Sequence, residues 1–335
     1  MTITQHYSDC KTTISPNITA LRQGFVSQLS RFGLLTFSGA DAVAFLHRQL
    51  TNDVEHLSPS QARLAGYCTP QGRLLATFLL WRSADSVLMQ LPSDILPGLQ
   101  KRLKMYVLRD KVNISTPDEW AQLGLGGQAA IAALTPWFAT LPDQPYAKVE
   151  GKHGTLIRVP DAFDAPRFLW ILPAATLPQV WPALITTLEP FADTAWGLCD
   201  IHAGIPVVTA PTQEKFVAQM LNFELIGGVS FKKGCYPGQE IVARMQHRGK
   251  TPRRMLLADI ELAADILAGT DVYAQDEPDQ ACGMIVNAER CAPDRAACLV
   301  ALRYPLPEGV SVHLGSASGP SLQFVPLPYS LEDVD

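Results

Sequence analysis

From Thr251 onward, short apolar runs alternate with turn residues, and this spacing restricts the fold more than any other feature of the chain. The runs are Arg254–Leu262, Thr270–Tyr273, Cys282–Ala288, Ala296–Arg303 and Leu322–Leu327. Proline, glycine and aspartate lie between them, and these residues favour turns because they set or permit the required backbone angles. Several short strands at this spacing predict a small antiparallel barrel or sandwich at the C-terminal end.

The N-terminal part alternates strands with amphipathic helices. Phe32–Phe37 is strand-like, and Ser38–Asp41 has the form of a capping box that opens a helix. Two further strand-like runs flank a turn at Thr69–Gly72, where proline occupies the second position. Apolar residues at helical spacing predict a helix over Ile95–Tyr106, and Val107–Ile114 is expected to return as a strand.

A glycine-rich segment at Gly124–Ala129 fits the dinucleotide-binding pattern G-x-G-x-x-A. A dinucleotide-binding unit also needs a second buried strand that ends in an acidic residue about twenty residues later. Prolines at positions 136, 142 and 145 interrupt that interval. We therefore interpret the glycines as a turn from a strand into a helix, within a split α+β module of the order β-α-β-β-α.

Composition and charge limit the function classes. The 335-residue chain is 47% hydrophobic and 18% charged, which is an ordinary globular composition. Its net charge is −5 and no basic stretch marks a nucleic-acid surface, so direct nucleic-acid binding is not expected. The N-terminal residues lack a basic region followed by an apolar core, and the longest apolar run, Leu74–Trp81, is too short to cross a bilayer. Neither a signal peptide nor a membrane span is expected.

The seven cysteines form no C-x-x-C pair. An odd number without a compact framework fits a reducing cytoplasm, where we expect the protein to be. Cys282, Cys291 and Cys298 lie in apolar, strand-like sequence, so we interpret them as buried residues and predict no metal site.

The segment Phe231–Gly249 carries the most reactive chemistry, because Cys235 follows Lys232 and Lys233 and precedes a Pro-Gly turn and an amphipathic helix. Helix N-terminal N–H groups and ammonium charges both favour thiolate over thiol. One interpretation is therefore an activated, accessible cysteine. The other is a small buried residue in a turn, since free cysteine usually behaves as a modest hydrophobe. The residues alone leave both open.

The segment KKGCYPGQE resembles the K-G-C-Y-x-G-Q-E signature of the YgfZ family. Its motif residues here are Lys233, Gly234, Cys235, Tyr236, Gly238, Gln239 and Glu240. The similarity extends upstream through LNFELIGGVSF, and LPYSLED is similar to the family's C-terminal signature. The family is related to the folate-dependent aminomethyltransferases, whose corresponding loop has an acid in place of Cys235. The thiol therefore favours the YgfZ branch.

The segment FGLLTFSGADAVAFLHRQLTNDV is similar to the first folate-domain segment of the aminomethyltransferases. The resemblance implies an α+β, aminomethyltransferase-like fold with several domains, mixed or antiparallel sheets and a small C-terminal β-barrel. It places a discontinuous folate-binding domain at residues 20–118 with 197–250, a split, ferredoxin-like α+β domain at 119–196, and the barrel at 251–335.

The resemblance also implies site residues. WGLCDIHAGIPVV is similar to a family segment whose tryptophan contacts folate, so Trp196 is expected to bind tetrahydrofolate through its flat indole. Phe32 occupies the position of the second folate-contacting aromatic residue, where the family has tryptophan. Cys235 and Lys233 are the expected catalytic residues, and we expect the thiol to lie within reach of the aromatic slot.

The implied function is that of a tetrahydrofolate-binding accessory protein. It would use Cys235 in the assembly or repair of iron–sulfur clusters in client enzymes, including the radical methylthiotransferases that modify tRNA. A folate-dependent aminomethyl transferase, and a folate-binding scaffold that only docks clients, are the alternatives. Whether the protein is itself an enzyme stays open, as do Asp110 as an acid or base and His247 as a partner of the thiol.

Overall fold

The computed structural model describes residues 16–247, 252–262 and 264–331. The strands are β1 (Phe25–Gln28), β2 (Phe32–Ser38), β3 (Ala62–Cys68), β4 (Leu74–Ser83), β5 (Ser86–Pro92), β6 (Asn113–Ser115), β7 (Trp120–Gly126), β8 (Lys148–Gly151), β9 (Gly154–Ala162), β10 (Ala165–Pro173), β11 (Glu189–Phe191), β12 (Arg253–Glu261), β13 (Asp271–Ala274), β14 (Ala281–Ala292), β15 (Arg295–Arg303), β16 (Val312–Leu314) and β17 (Leu322–Val325). The helices are α1 (Ile18–Gln23), α2 (Ala42–Gln49), α3 (Leu96–Met105), α4 (Ala130–Leu134), α5 (Leu177–Leu184), α6 (Thr194–His202) and α7 (Gln239–His247). Among the described residues, no helix is long and apolar enough to traverse a bilayer.

The first sheet has five antiparallel strands in the order β3-β4-β5-β2-β6. Helices α2 and α3 pack on one of its faces, where Phe37 and Phe45 are fully buried. The other face, with Leu64 and Trp81, joins a larger core that all three sheets share. The predicted strands on both sides of the Pro-containing turn are confirmed.

Two local predictions in this unit are wrong. Asp41 precedes α2, but its carboxylate accepts a hydrogen bond from the backbone N–H of Lys111 (2.7 Å) and does not cap the helix. Lys111 lies in a loop over residues 107–112, where the chain turns before it joins the first sheet. Strand β6 consequently covers only Asn113–Ser115 instead of the predicted eight-residue stretch Val107–Ile114.

The second sheet has six strands in the order β11-β1-β7-β10-β9-β8, in which only β1 and β11 pair in parallel. Helices α4 and α5 pack on one face around Trp170 and Leu184. Strand β1 hydrogen-bonds here, with Phe25 opposite Gly126, although the sequence-based division assigns it to the first domain. Such long-range pairing leaves no local signal in the sequence.

The glycine-rich segment is the turn between β7 and α4, as interpreted from the sequence. Gly127 has a φ of +90°, and a β-carbon there would lie 2.5 Å from the backbone of Gly24. Gly124 packs against the indole of Trp196, where a β-carbon would lie 2.3 Å from the ring. Close packing and a left-handed turn therefore account for these glycines.

The third sheet has six antiparallel strands in the order β16-β13-β14-β15-β12-β17. It curls into a small barrel, because a bridge between His313 and Ser321 joins its two edges. Cys282 and Cys298 are buried in this sheet, as predicted, and burial raises the pKa of Cys298 to about 12. Cys291 is only half-buried, in β14.

Asn222 and its neighbours fix the barrel to the segment that leads to the cysteine loop. Asn222 is fully buried with a φ of +53°; its Nδ2 donates to the carbonyl of Met255 (2.7 Å), and its Oδ1 accepts from the N–H of the same residue (3.3 Å). Arg254 Nη1 forms a buried ion pair with Glu224 Oε1 at 2.5 Å. Because all these polar groups are buried, removal of one partner would leave the other without a hydrogen bond.

We expect Asn222→Ala to lower the free energy of unfolding by about 2–4 kcal/mol, because it leaves two buried peptide groups unpaired and puts alanine in a left-handed conformation. Denaturant unfolding followed by circular dichroism measures the change. The control is Asn113→Ala at an exposed position, which should change the value by less than about 0.5 kcal/mol. Equal losses in the two variants would contradict this role of Asn222.

Candidate functional site

The Cys235 thiol is exposed, on a loop that ends at α7. The loop turns at Gly238, which has a φ of +83° and whose β-carbon would lie 2.5 Å from the carbonyl oxygen of Thr69. Helix α7 begins at Gln239, whose side-chain oxygen accepts a hydrogen bond from the N–H of Tyr236 (3.3 Å). The thiol is therefore accessible, and the interpretation of Cys235 as a buried turn residue is wrong.

Lys233 joins this loop to the C-terminal end of α2. Its Nζ donates hydrogen bonds to the carbonyl oxygens of His47 and Leu50, the latter at 2.7 Å. The last carbonyls of a helix lack intrahelical partners, and a cation there is favourable. The ammonium also lies 4.9 Å from the ring centre of Tyr236, and burial lowers the pKa of Lys233 to about 8. Lys233 thus holds the cysteine loop against the end of α2, and its catalytic role stays a prediction.

Thr51 and Asn52 hold the start of the loop. The Thr51 hydroxyl donates to the carbonyl of Gly228 (2.7 Å), and the Asn52 amide donates to that of Gly227 (2.6 Å). The N–H of Ser230 donates to the carbonyl of Thr51 (2.9 Å). Both side chains are buried, so the T-N-D segment after α2 and the cysteine loop form one hydrogen-bonded unit.

His47 is a residue beside the cysteine loop that sequence reasoning missed. Its side chain is buried, Nδ1 lies 3.2 Å from Asp53 Oδ1, and Nε2 lies 3.8 Å from the position of a β-carbon on Gly234. His47 is far from Cys235 in the chain, so only the fold brings it to the loop. The one available signal was its position in the last turn of α2, just before the T-N-D segment.

The sequence left open the roles of Asp110 and His247, and the structure describes the side chain of Asp110. Asp110 lies on the loop before β6, where its two carboxylate oxygens accept hydrogen bonds from Arg48 Nη2 at 2.8 and 2.9 Å. This surface ion pair accounts for Asp110 without an acid–base role. The side chain of His247 lies outside the described residues. Within the described ranges, no group of three or more His, Cys, Asp or Glu side chains is arranged to hold a metal ion.

A cavity of about 400 Å³ lies between the first sheet, α6 and the barrel. Its lining includes Arg31, Phe32, Asp200, Asn287 and Glu289. A second cavity of about 60 Å³ shares Phe32 and Asp200 with the first and reaches Tyr146 and Trp196. The two cavities are therefore neighbours where the three units meet, and the larger has a volume typical of small-molecule sites.

Trp196 lines only the smaller cavity and is 4% exposed. Gly124 packs against its benzo ring, and the guanidinium of Arg167 lies over the indole, 4.8 Å from its centre. These contacts cover part of the indole, and folate binding by Trp196 stays a prediction. Phe32, by contrast, is half-buried and lines both cavities, so it is the better placed of the two predicted aromatic residues.

Asp200, which lines both cavities, belongs to a buried ion pair. Asp200 Oδ1 lies 2.8 Å from Arg167 Nη1. Burial raises the pKa of Asp200, and the charge of Arg167 acts in the opposite direction. Arg167 Nη2 and the Tyr146 hydroxyl are buried with no hydrogen-bond partner among the residues that the structure describes. Tyr146 lines the smaller cavity, and since buried polar groups are normally paired, a polar molecule there could complete the hydrogen bonding of its hydroxyl.

The structure brings the predicted site residues together in two places. Phe32 and Trp196 meet at the smaller cavity, whereas Lys233 and Cys235 lie on the loop beside α2. In the described part of the chain, no residue of that loop lines either cavity. The predicted site residues thus fall into two groups, and that the thiol lies within reach of the aromatic residues stays a prediction.

Comparison with protein-family models gives no match. The chain is 32% identical over 307 residues to the tRNA-modifying protein YgfZ of Cronobacter sakazakii (strain ATCC BAA-894). The aligned region covers 91% of this chain and 93% of that protein. Among solved structures, the glycine cleavage system aminomethyltransferase T from Bartonella henselae matches with a TM-score of 0.75 at 16% identity, over 94% of this chain and 87% of that one. The structural match shows the fold alone, and it confirms the predicted α+β, aminomethyltransferase-like architecture.

We expect Lys233→Met to lower the free energy of unfolding by about 1–2 kcal/mol, because the carbonyls at the end of α2 lose a charged donor. Thermal or denaturant unfolding measures the loss. Lys232→Met is the matched control, since Lys232 is the adjacent, exposed lysine and its replacement should change stability by less than about 0.5 kcal/mol. If both variants are as stable as the wild type, the contact does not stabilise the loop.

Proposed function

Since this chain belongs to the YgfZ family of tRNA-modifying proteins, we propose that it is a cytoplasmic, tetrahydrofolate-binding accessory protein. In this role it supports the assembly or repair of iron–sulfur clusters in client enzymes, including radical methylthiotransferases that modify tRNA. The observation that carries the proposal is the exposed thiol of Cys235, on a loop held by Lys233 and Thr51. A structural cysteine would be buried, as Cys68, Cys199 and Cys298 are.

The lining of the larger cavity supports the proposal of a folate site. Phe32 supplies an aromatic surface for a pterin or aminobenzoyl ring, and the carboxylates of Asp200 and Glu289 are acceptors for ring N–H groups. Arg31 Nη2 already pairs with Glu289 Oε1 at 2.6 Å, so the lining holds both signs of charge. Bound tetrahydrofolate would supply a one-carbon carrier, and these side chains would hold and orient it.

Cys235 is the group that meets a client. The thiolate is the reactive form of cysteine, and only an accessible one can reach a cluster intermediate or an oxidised sulfur on another protein. Burial raises the pKa of both Cys68 and Cys199 to about 12, so these thiols stay protonated. The proposal therefore assigns client chemistry to Cys235, with Lys233 as the residue that positions its loop.

A one-carbon transferase is the alternative that the aminomethyltransferase-like fold suggests. The fold is shared at 16% identity, and a shared fold does not fix an activity. The thiol at position 235, where aminomethyltransferases resemble this loop but carry an acid, favours the accessory function. Turnover of tetrahydrofolate with an aminomethyl donor by the purified protein would support the transferase instead.

We expect Phe32→Ala to weaken tetrahydrofolate binding at least tenfold, because the variant loses the contact between the phenyl ring and the ligand ring. A loss of about 1.4 kcal/mol of binding free energy corresponds to that factor. Isothermal titration calorimetry with the purified protein measures the affinity. Phe231→Ala is the matched control: this phenylalanine is exposed and lines neither cavity, so its loss should leave affinity unchanged. Equal affinities for wild type and Phe32→Ala would remove the cavity from the proposal.

We expect Cys235→Ala to abolish complementation of cells that lack their own YgfZ protein, since the client-directed thiol is gone. The methylthiolated nucleosides of tRNA, quantified by mass spectrometry, report client activity. Folding and tetrahydrofolate affinity should be retained, because Cys235 is exposed and outside the cavity lining. Cys291→Ala, at a half-buried cysteine of the barrel, is the control that should complement. Full complementation by Cys235→Ala would favour a scaffold that only docks clients.

A further inference from the structure

Three large apolar side chains lie exposed within four residues at the end of α3. Met105 is 62% exposed, Tyr106 is 43% exposed and Leu108 is 88% exposed. The described residues include nine exposed large apolar side chains, so a third of them fall in this one place. Single exposed apolar residues are ordinary on a protein surface, whereas a cluster of them indicates an interaction site. We call residues 101–111 the α3 patch.

The α3 patch is basic, although the chain as a whole is acidic. It holds five lysines and arginines and one aspartate, so its net charge is +4, against −5 for the whole chain. The rest of the chain carries the difference, −9. The exposed cations of the patch are Lys101, Lys104, Arg109 and Lys111. In the part of the chain that the structure describes, none of these four has an ion-pair partner.

The loop that presents Leu108 is held on both sides. On one side, the N–H of Val107 donates to the carbonyl of Lys104 (3.3 Å), and the Val107 side chain packs on the core between the first sheet and its helices. On the other side, the N–H of Lys111 donates to Asp41 Oδ2 (2.7 Å), and its carbonyl accepts from the N–H of Asp41 (3.3 Å). A side chain on an ordered loop loses less conformational entropy when a partner covers it. Leu108 is therefore placed as an anchor residue.

The apolar and basic residues together indicate the chemistry of the partner. Protein interfaces are enriched in aromatic residues, methionine and arginine at their centre, with a polar rim around them. Nucleic acids offer phosphates to cations and bases to aromatic rings. Met105 and Leu108 have neither a charge nor a ring, so apolar side chains of another protein are their better partners. The surrounding cations favour a protein surface that also carries carboxylates.

The α3 patch and the cysteine loop are both attached to the C-terminal end of α2. Asp110 in the patch pairs with Arg48 Nη2 at 2.8 Å. Lys233 in the cysteine loop donates to the carbonyl oxygens of His47 and Leu50. A standard protein interface covers about 800 Å² on each partner, which is roughly 30 Å across. A protein bound to the patch is therefore large enough to reach the cysteine loop as well.

We propose that the α3 patch is the surface on which a client enzyme docks, through an apolar surface bordered by aspartate and glutamate. Leu108 packs into the apolar part of the client, and the four exposed cations pair with its carboxylates. The remaining negative charge of the chain repels the same carboxylates, which directs the client to the patch. The identity of the client rests on the proposed function, but docking depends neither on the cavities nor on the chemistry of Cys235.

The test measures the affinity of the full chain for a purified radical methylthiotransferase that modifies tRNA, by biolayer interferometry at low and high salt. We expect Leu108→Ser to weaken binding at least tenfold at both salt concentrations, because the anchor is lost. Lys104→Glu should weaken binding at least tenfold at low salt and less at high salt, because salt screens exposed charges. The matched controls are Leu267→Ser, at a leucine that is 70% exposed before β13, and Lys152→Glu, at an exposed lysine between β8 and β9. Both controls should bind like the wild type.

Absence of binding by the wild type, or equal affinity of wild type and Leu108→Ser, would overturn the docking surface. So would a loss in the two patch variants of binding to unmodified tRNA alone, or of self-association measured by sedimentation, without a loss of client binding. Complementation separates this inference from the proposed function. Leu108→Ser should lower the methylthiolated nucleosides of tRNA at least severalfold, and full complementation by this variant would count against docking alone. The role of the thiol is tested independently by Cys235→Ala.

Discussion

The carbonyl end of α2 is the constraint on which the thiol's surroundings depend. A helix that ends next to buried strands leaves its last carbonyls without partners, and here the Lys233 ammonium supplies the donors. The same turn of helix carries His47 and leads into Thr51 and Asn52, which hold the other side of the loop. A single helix end thus fixes the path of the chain before and after Cys235.

This arrangement explains why the two lysines beside Cys235 are not equivalent. Lys232 is exposed, so its charge is screened by solvent and salt. Lys233 is half-buried and directs its charge at carbonyl oxygens, where it orders the loop. The sequence pattern K-K-G-C suggests two cations acting on the sulfur. The structure assigns one of them to the backbone of another element.

Much of the fold could be predicted from local patterns, because strands of the first sheet and the barrel alternate with strong turn signals. Strand β1 could not, since its pairing with β7 depends on residues far apart in the chain. The cysteine loop was found from its residues and its resemblance to a family. The position of His47 beside that loop could not be found this way, and neither could the cover that Gly124 and Arg167 place on the indole of Trp196. Tertiary contacts decide both.

The two neighbouring cavities are bordered by side chains from all three sheets or their flanking segments: Phe32 belongs to the first, Val159 to the second and Asn287 to the third. A molecule that fills them would contact every unit at once and would bind only when all three are assembled. By mass action, its free concentration then adds to the resistance of the whole chain against unfolding. The free energy that keeps the three units assembled would therefore increase with the concentration of the ligand.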